Sequence, residues 1–367
     1  MRSMLVASPQ HDHYRATLPT WMRALGGPLL AILLLAGCRS SDSTGAPSTA
    51  SAETVPEVAP RPLPLASPLD RPDIEISGLA WHGDTLVVLP QYPSRAAGGD
   101  THRLYGLPRS ALRKAVADSP AAPLDPTPIP LNAPSLSERA TVYEGCEAVA
   151  FDDRRVYLLI EGNAEDNGME GHLLRGRAAP GLRRVRVPGT EDRPLPQQAR
   201  LPNMSYESLV LRGDTVITIF EANGARVNAT PRAYRFGSTL QPLGGVPFPA
   251  LEYRVTDATA LDRKGRFWVL NYFYPGDRDV LRPAPDSLAL RHGRGATHRA
   301  AAPVERLVQY RYTDRGIRRT DRPPIWFELD EDAARNWEGL VRFEEGFLVA
   351  TDRFPRTILA YLPAPPQ

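Results

Sequence analysis

Five stretches of the chain carry one pattern of polar and apolar positions: residues 77–91, 147–161, 207–221, 257–271 and 338–352. Each opens on a polar residue, and the next position is small: Gly78, Ala148, Ser208, Ala258 and Gly339. An apolar run follows, then a turn signal, then a second apolar run such as Val156-Tyr157-Leu158-Leu159-Ile160. The midpoints fall on Gly83-Asp84, Asp153-Arg154, Gly213-Asp214, Lys264-Gly265 and Glu345-Gly346, where turn residues between two apolar runs predict a hairpin. Two antiparallel strands joined there bring the first and last residues of each stretch to the same end.

Further strand-like runs follow most hairpins, as in 172–175 and 182–187 or 306–310 and 324–327. Each repeat therefore predicts a four-stranded meander, and radial repetition of such units is the sequence form of a β-propeller. The expected fold is all-β with five blades. Successive repeats start 70, 60, 50 and 81 residues apart, so a sixth blade inside the longest interval is the alternative. That interval holds one good later strand pair and a polar stretch, 275–303, which favours five. The last repeat ends one strand short, and residues around Pro62 to Ala66 are expected to supply it and close the ring.

Ahead of the repeats the pattern changes. Met22-Arg23 precedes an apolar run, Pro28 to Leu35, and then Leu35-Ala36-Gly37-Cys38. A cationic start before a short apolar run reads as a secretory signal, too short to span a bilayer. Its last four residues resemble the bacterial lipoprotein box, which implies lipidation of Cys38 and a place in the cell envelope on a membrane anchor. Residues 1–21 fit no signal, so initiation at Met22 is the simplest reading. Residues 39–60, rich in Ser, Thr, Ala and Pro, read as a flexible tether, with the propeller domain over 61–367. A tether of that length has an r.m.s. span of about 25 Å.

Composition narrows the function classes. In 367 residues, 44 Lys+Arg face 42 Asp+Glu, a net +2, which lacks the basic excess of a nucleic-acid surface. A hydrophobic fraction of 42% supports a packed core. Two cysteines, Cys38 and Cys146, exclude a disulfide framework and a cysteine-rich zinc site. No phosphate-cradling glycine loop, Gly-x-Ser-x-Gly elbow or His-Glu-x-x-His stands in the chain. His82, His102 and His172 read as isolated, and Cys146 as a packed thiol.

The repeat gathers seven carboxylates at one mouth of the channel: Glu147, Glu161, Glu207, Glu221, Asp257, Glu338 and Asp352, with Ser77, Gln91 and Asn271 completing the ring. Crowded carboxylates are relieved by protons or by a cation. With oxygen donors only, the cation expected is Ca²⁺. An acid at a strand start also has a plainer use, hydrogen bonding to backbone amides of the next blade. Long connections emerge on the acidic side, and the longest, 272–303, carries Arg278, Arg291, Arg294 and Arg299. It reads either as a basic lid or as a solvated insertion.

The phrases Ile76-Ser77-Gly78-Leu79, Glu147-Ala148-Val149-Ala150-Phe151, Tyr206-Glu207-Ser208-Leu209, Thr256-Asp257-Ala258 and Trp337-Glu338-Gly339-Leu340 resemble the propeller family known as "esterase-like activity of phytase". A more distant resemblance is to β-propeller phytases and calcium-activated nucleotidases. The likeness covers residues 73–362. It implies channel calcium held by Glu147, Glu207, Asp257 and Glu338, and hydrolysis of phosphate esters by a metal-activated water. Glu161, Glu221 and Asp352 are then the candidate catalytic carboxylates, and Arg353, Asn271, Gln91 and Asn336 the candidate substrate-binding groups. Phytases of this kind line their cleft with several cations, whereas here only Arg353 adjoins a ring acid, and Ser77 replaces an acid in the first blade. Two functions follow: a Ca²⁺-dependent phosphoesterase (a hydrolase), or a non-catalytic, Ca²⁺-stabilised propeller that binds a small polar ligand or a protein. Other hydrolytic propellers, of the gluconolactonase type, form a third class.

Overall fold

The computed structural model describes residues 55–365 except 72, 96–100, 135, 137–141, 165–167, 190, 331–333 and 353–354. Cys38, the signal, most of the tether and Arg353 lie outside the described residues. The described chain is mostly β.

Two short strands come first, β1 (Glu57–Val58) and β2 (Arg61–Leu63). Five antiparallel meanders follow. The first is β3 (Ile76–His82), β4 (Thr85–Pro90), β5 (His102–Pro108) and β6 (Thr127–Asn132), with helix α1 (Arg109–Ala117) between its last two strands. The second is β7 (Val142–Asp152), β8 (Arg155–Asn163) and β9 (Met169–Ala178), edged by β10 (Val185–Arg186) and β11 (Asp192–Pro194). The third is β12 (Tyr206–Arg212), β13 (Thr215–Phe220), β14 (Arg232–Gly237) and β15 (Pro242–Pro247).

The fourth meander holds β16 (Arg254–Ala258) and β17 (Arg266–Phe273). An insertion with three short helices, α2 (Arg278–Leu281), α3 (Ser287–His292) and α4 (Ala296–Ala300), leads on to β18 (Val304–Thr313), β19 (Gly316–Arg319) and β20 (Ile325–Phe327). The fifth is β21 (Trp337–Phe343), β22 (Gly346–Thr351) and β23 (Leu359–Pro363). Among the described residues no helix is long and apolar enough to cross a membrane.

The turns explain why the repeat folds this way. Gly83, Asp153, Gly213 and Glu344 open two-residue hairpins with φ of 57°, 50°, 52° and 49°, the left-handed conformation that matches strand twist in a tight hairpin. Apolar residues on both faces of the strands then pack between meanders. Leu89, Val149 and Leu158 join the first to the second; Ile219, Val255 and Phe267 join the third to the fourth. Leu270, Leu340 and Val349 join the fourth to the fifth, and Leu79, Val341 and Leu348 join the fifth back to the first. The inner strands β3, β7, β12, β16 and β21 neighbour one another in turn, with β21 against β3, in a propeller-like ring.

The N-terminal segment closes this arrangement. Arg61–Leu63 pairs antiparallel with β23 as the fourth strand of the fifth meander, close to the expected position. Glu57–Val58 pairs parallel with β20, so strand pairing starts inside the stretch read as tether and one segment stitches two meanders together.

Every inner strand has a β-bulge at an equivalent residue, Ser77, Glu147, Glu207, Thr256 and Glu338, and β7 has a second one at Glu144. A bulge leaves its residue outside the pairing and re-aims its side chain. The fourth bulge corrects the sequence reading. Its unit runs from Thr256 to Tyr272, because the turn between β16 and β17 is two residues longer than the others. Asp257, paired with Leu270, stands where Gly78, Ala148, Ser208 and Gly339 stand in the other units. A template of fixed length therefore slipped by one residue at each end of this hairpin.

Candidate functional site

The bulges and the ends of the second strands gather a buried carboxylate cluster. Glu147, Glu207 and Glu338 come from bulges; Glu161, Glu221 and Asp352 come from the ends of β8, β13 and β22. All six are buried, and their charges act on one another across meanders. Glu147 Oε1, Glu161 Oε2, Glu207 Oε2 and Glu221 Oε2 are buried without a hydrogen-bond partner.

One cation stands among them, and the sequence reading missed it. Arg254, 8% exposed at the start of β16, ion-pairs through Nε with Glu221 and donates from Nη2 to Glu207 Oε1 at 3.3 Å. Its Nη1 lies 4.0 Å from Asp277 Oδ2, a carboxylate delivered by the insertion. Burial works against the charge on Arg254, but Glu221, Glu207, Glu338 and Asp277 outweigh it and raise its pKa well above the usual value. A single arginine in one of the five inner strands gives no repeat signal. What could have marked it is its place two residues before a bulge, where the other inner strands carry Glu75, Gly145, Ser205 and Asn336.

Burial pushes the cluster's carboxyls toward the neutral form. Glu161 is pushed up to about 8, by burial first and by the charge of Glu221 next, with Arg254 pulling the other way. Glu147, Glu207 and Glu338 are raised well above the ordinary 4.5, again mainly by burial. Glu221 is also raised by burial, and Arg254 opposes the shift both as a charge and as a hydrogen-bond donor.

The remaining expected residues divide. Asp257 is a latch between meanders: Oδ2 accepts from the Leu340 amide at 2.6 Å and Oδ1 from the Ala258 amide at 2.7 Å, with burial raising its pKa against both bonds. This is the plainer use expected of a strand-start acid. Thr256 and Ser77, at their bulges, do similar work, donating to Trp337 O at 2.6 Å and Cys146 O at 2.5 Å. Asn271 commits both ends of its amide to the protein. It donates to Glu252 O and Arg254 O and accepts from Arg306 Nε at 2.8 Å, so it braces the backbone of Arg254 instead of facing a ligand. Gln91 hydrogen-bonds Glu147. Asn336 Nδ2 bridges Glu338 Oε1 at 2.6 Å and Asp352 Oδ2 at 2.9 Å. Cys146 is a buried free thiol that touches Tyr143.

The insertion is pinned down, contrary to the reading as a basic lid. Asp286 caps α3 and takes both Nη atoms of buried Arg306 at 2.7 and 3.2 Å. Glu57 accepts from Thr297 and His298 of α4. What this segment contributes to the cluster is the acid Asp277. His172 is not isolated either, since Nδ1 lies 3.0 Å from Asp192 Oδ1.

A cleft of about 520 Å³ runs beside the cluster, lined by Met169, Gly171, Ser205, Tyr206 and Phe220 among others. Gly171 pairs with Glu161, while Tyr206 and Phe220 immediately precede Glu207 and Glu221. A Cβ on Gly171 would lie 2.7 Å from Ser205 Oγ, so only glycine lets β9 approach so closely there. Among the described residues no three His, Cys, Asp or Glu side chains are grouped to hold a metal ion.

No protein-family model and no curated protein matches the chain. Among solved structures it is similar to a glycosyl hydrolase from Bacteroides ovatus, at 10% identity and a TM-score of 0.48 over 85% of this chain and 95% of that one. It is also similar to a GH43_1 enzyme from Xanthomonas citri, at 9% identity and a TM-score of 0.45 over 83% and 91% of the two chains. A third is the glutaminyl cyclase of Myxococcus xanthus, at 10% identity and a TM-score of 0.37 over 85% and 100%. None of these three is a phytase, and likeness this remote carries no argument about chemistry.

Proposed function

We propose that the chain is a five-bladed β-propeller, anchored to a bacterial envelope through Cys38, whose channel carboxylates form an acid–base hydrolase site for a neutral, hydroxyl-rich substrate. The observation that carries this reading is the division of labour between two buried carboxyls. Glu161 is held protonated near neutral pH by burial and by its neighbour Glu221, while Glu221 is paired with the guanidinium of Arg254. Burial raises Glu221 too, but the guanidinium favours its charged form, and unlike environments of this kind assign one carboxyl as general acid and the other as base or nucleophile. Two such groups suffice to cleave an acetal or glycosidic bond, one protonating the leaving oxygen while the other activates water or attacks.

The choice of substrate class rests on charge. The cluster holds six carboxyls plus Asp277, and the buried arginine there is already shared by Glu207 and Glu221. Arg306 and Arg335, also buried, are taken by Asp286 and Glu305. A phosphate ester needs free cations or amide donors, whereas hydroxyl groups can donate to the unpartnered oxygens of Glu147 and Glu161.

The test is a panel of aryl glycosides, carboxylic esters and phosphate esters with the full-length protein. Hydrolysis of a neutral glycoside, lost in Glu161→Gln and in Glu221→Gln with the fold retained, is the result expected. Phosphate-ester hydrolysis that needs added calcium would favour the phosphoesterase, and binding without turnover would favour the non-catalytic propeller.

A further inference from the structure

We infer that Arg254 is the resident cation of the channel, so that the carboxylate cluster is built to work without a metal ion. The inference rests on the cluster geometry and not on the hydrolase reading. Calcium requires six to eight oxygen ligands that can turn toward it, and three of the four residues expected to hold it are already engaged within the protein. Asp257 has both oxygens committed to the amides of Ala258 and Leu340. Thr256, like Ser77, takes a bulge position where Glu147, Glu207 and Glu338 put an acid. Glu207 faces Arg254 at 3.3 Å, and Glu338 Oε1 accepts from Asn336 at 2.6 Å.

The guanidinium meanwhile sits where a cation would do the most good. It ion-pairs with Glu221, hydrogen-bonds Glu207, has Asp277 at 4.0 Å and acts electrostatically on Glu161 and Glu338. Its carbonyl is fixed by Asn271 Nδ2 at 2.9 Å, and the following amide, Val255 N, donates to Glu221 O at 2.9 Å. Two backbone anchors and a braced neighbour hold it in place. An arginine cannot lose its charge in a protein, and its planar fork serves several carboxylates at once. A divalent ion entering beside it would meet a fixed positive charge.

The experiment uses the full-length protein and calcium chloride as the probe. Wild-type Tm is compared in chelator and in millimolar calcium, with calorimetric titration of calcium alongside. The expected result is one Tm in both media and no stoichiometric calcium uptake. Arg254→Met removes the cation and frees Glu207 and Glu221; its Tm in chelator should fall and recover when calcium is added. Arg254→Lys, which restores a charge, should be indifferent to calcium. Stoichiometric calcium uptake by the wild type with a rise in Tm would overturn the inference. A folded Arg254→Met that keeps the wild-type Tm in both media would overturn it too. If Arg254→Met does not fold, the wild-type titration decides alone. Failure of the hydrolase reading would show in the substrate panel and leave these outcomes unchanged.

Discussion

Asp257→Asn separates a structural latch from a metal ligand. The carboxylate accepts two backbone amides, Leu340 at 2.6 Å and Ala258 at 2.7 Å, at a buried seam between β16 and β21. Asparagine keeps one acceptor oxygen and turns an NH₂ toward the second amide. One bond to a charged acceptor is lost and one buried N–H is left without a partner, at about 1–3 kcal/mol for each effect. Their sum, discounted for relaxation, is about 3 kcal/mol. For a folded domain of this size it should lower Tm by about 5 °C. Urea unfolding followed by intrinsic fluorescence reads the loss directly, with the slope unchanged if both states keep their compactness. The loss should be the same in chelator and in calcium. A change under about 1 kcal/mol, below the low end for one unsatisfied buried group, would refute the latch. So would a loss that appears only when calcium is present.

Glu161→Gln should change the pH dependence of stability. The folded-state pKa of about 8 lies above the ordinary 4.5, so this group's contribution is full below about 4.5 and is lost as pH rises through 8. Urea melts across that window should show the variant gaining on the wild type by up to about 5 kcal/mol, and parallel curves would contradict it. Removing residues 1–54 should leave Tm near the wild-type value, whereas removal through Leu63 strips β1 and β2, exposes the edges of β20 and β23, and should lower Tm sharply; equal Tm values for the two truncations would count against the stitch. Cys38→Ser should abolish incorporation of labelled fatty acid in bacterial cells, and labelling that persists would contradict lipidation at that residue.

The meanders were legible because their signal is local and repeated. Apolar runs of even length flank turn residues such as Gly83-Asp84 and Gly213-Asp214, and four of the five hairpins share one length. The fourth was misregistered for the same reason, since two extra residues in its turn defeat a fixed spacing and Asp257 stands next to the true bulge residue, Thr256. The carboxylate cluster was legible because its acids sit at equivalent positions of a repeat. Arg254 was not, because its role depends on carboxylates that lie 33 and 47 residues away in sequence on the neighbouring meander. Asn271 matched the template by one slipped position, and only the observed register shows it bracing Arg254 O. The first stitch of the N-terminal segment was hidden by its brevity, since a two-residue strand leaves no periodic trace.

The central claim is that one channel carboxyl stays protonated at neutral pH beside another that is ion-paired with Arg254. Carbon-13 NMR of protein labelled at the glutamate carboxyl carbon, titrated in chelator, tests it most directly. The account predicts several raised glutamate resonances, among them one with a midpoint near 8 that disappears in Glu161→Gln and moves in Arg254→Lys. A spectrum in which every glutamate has finished titrating by about pH 6, as unperturbed carboxyls do, would contradict it.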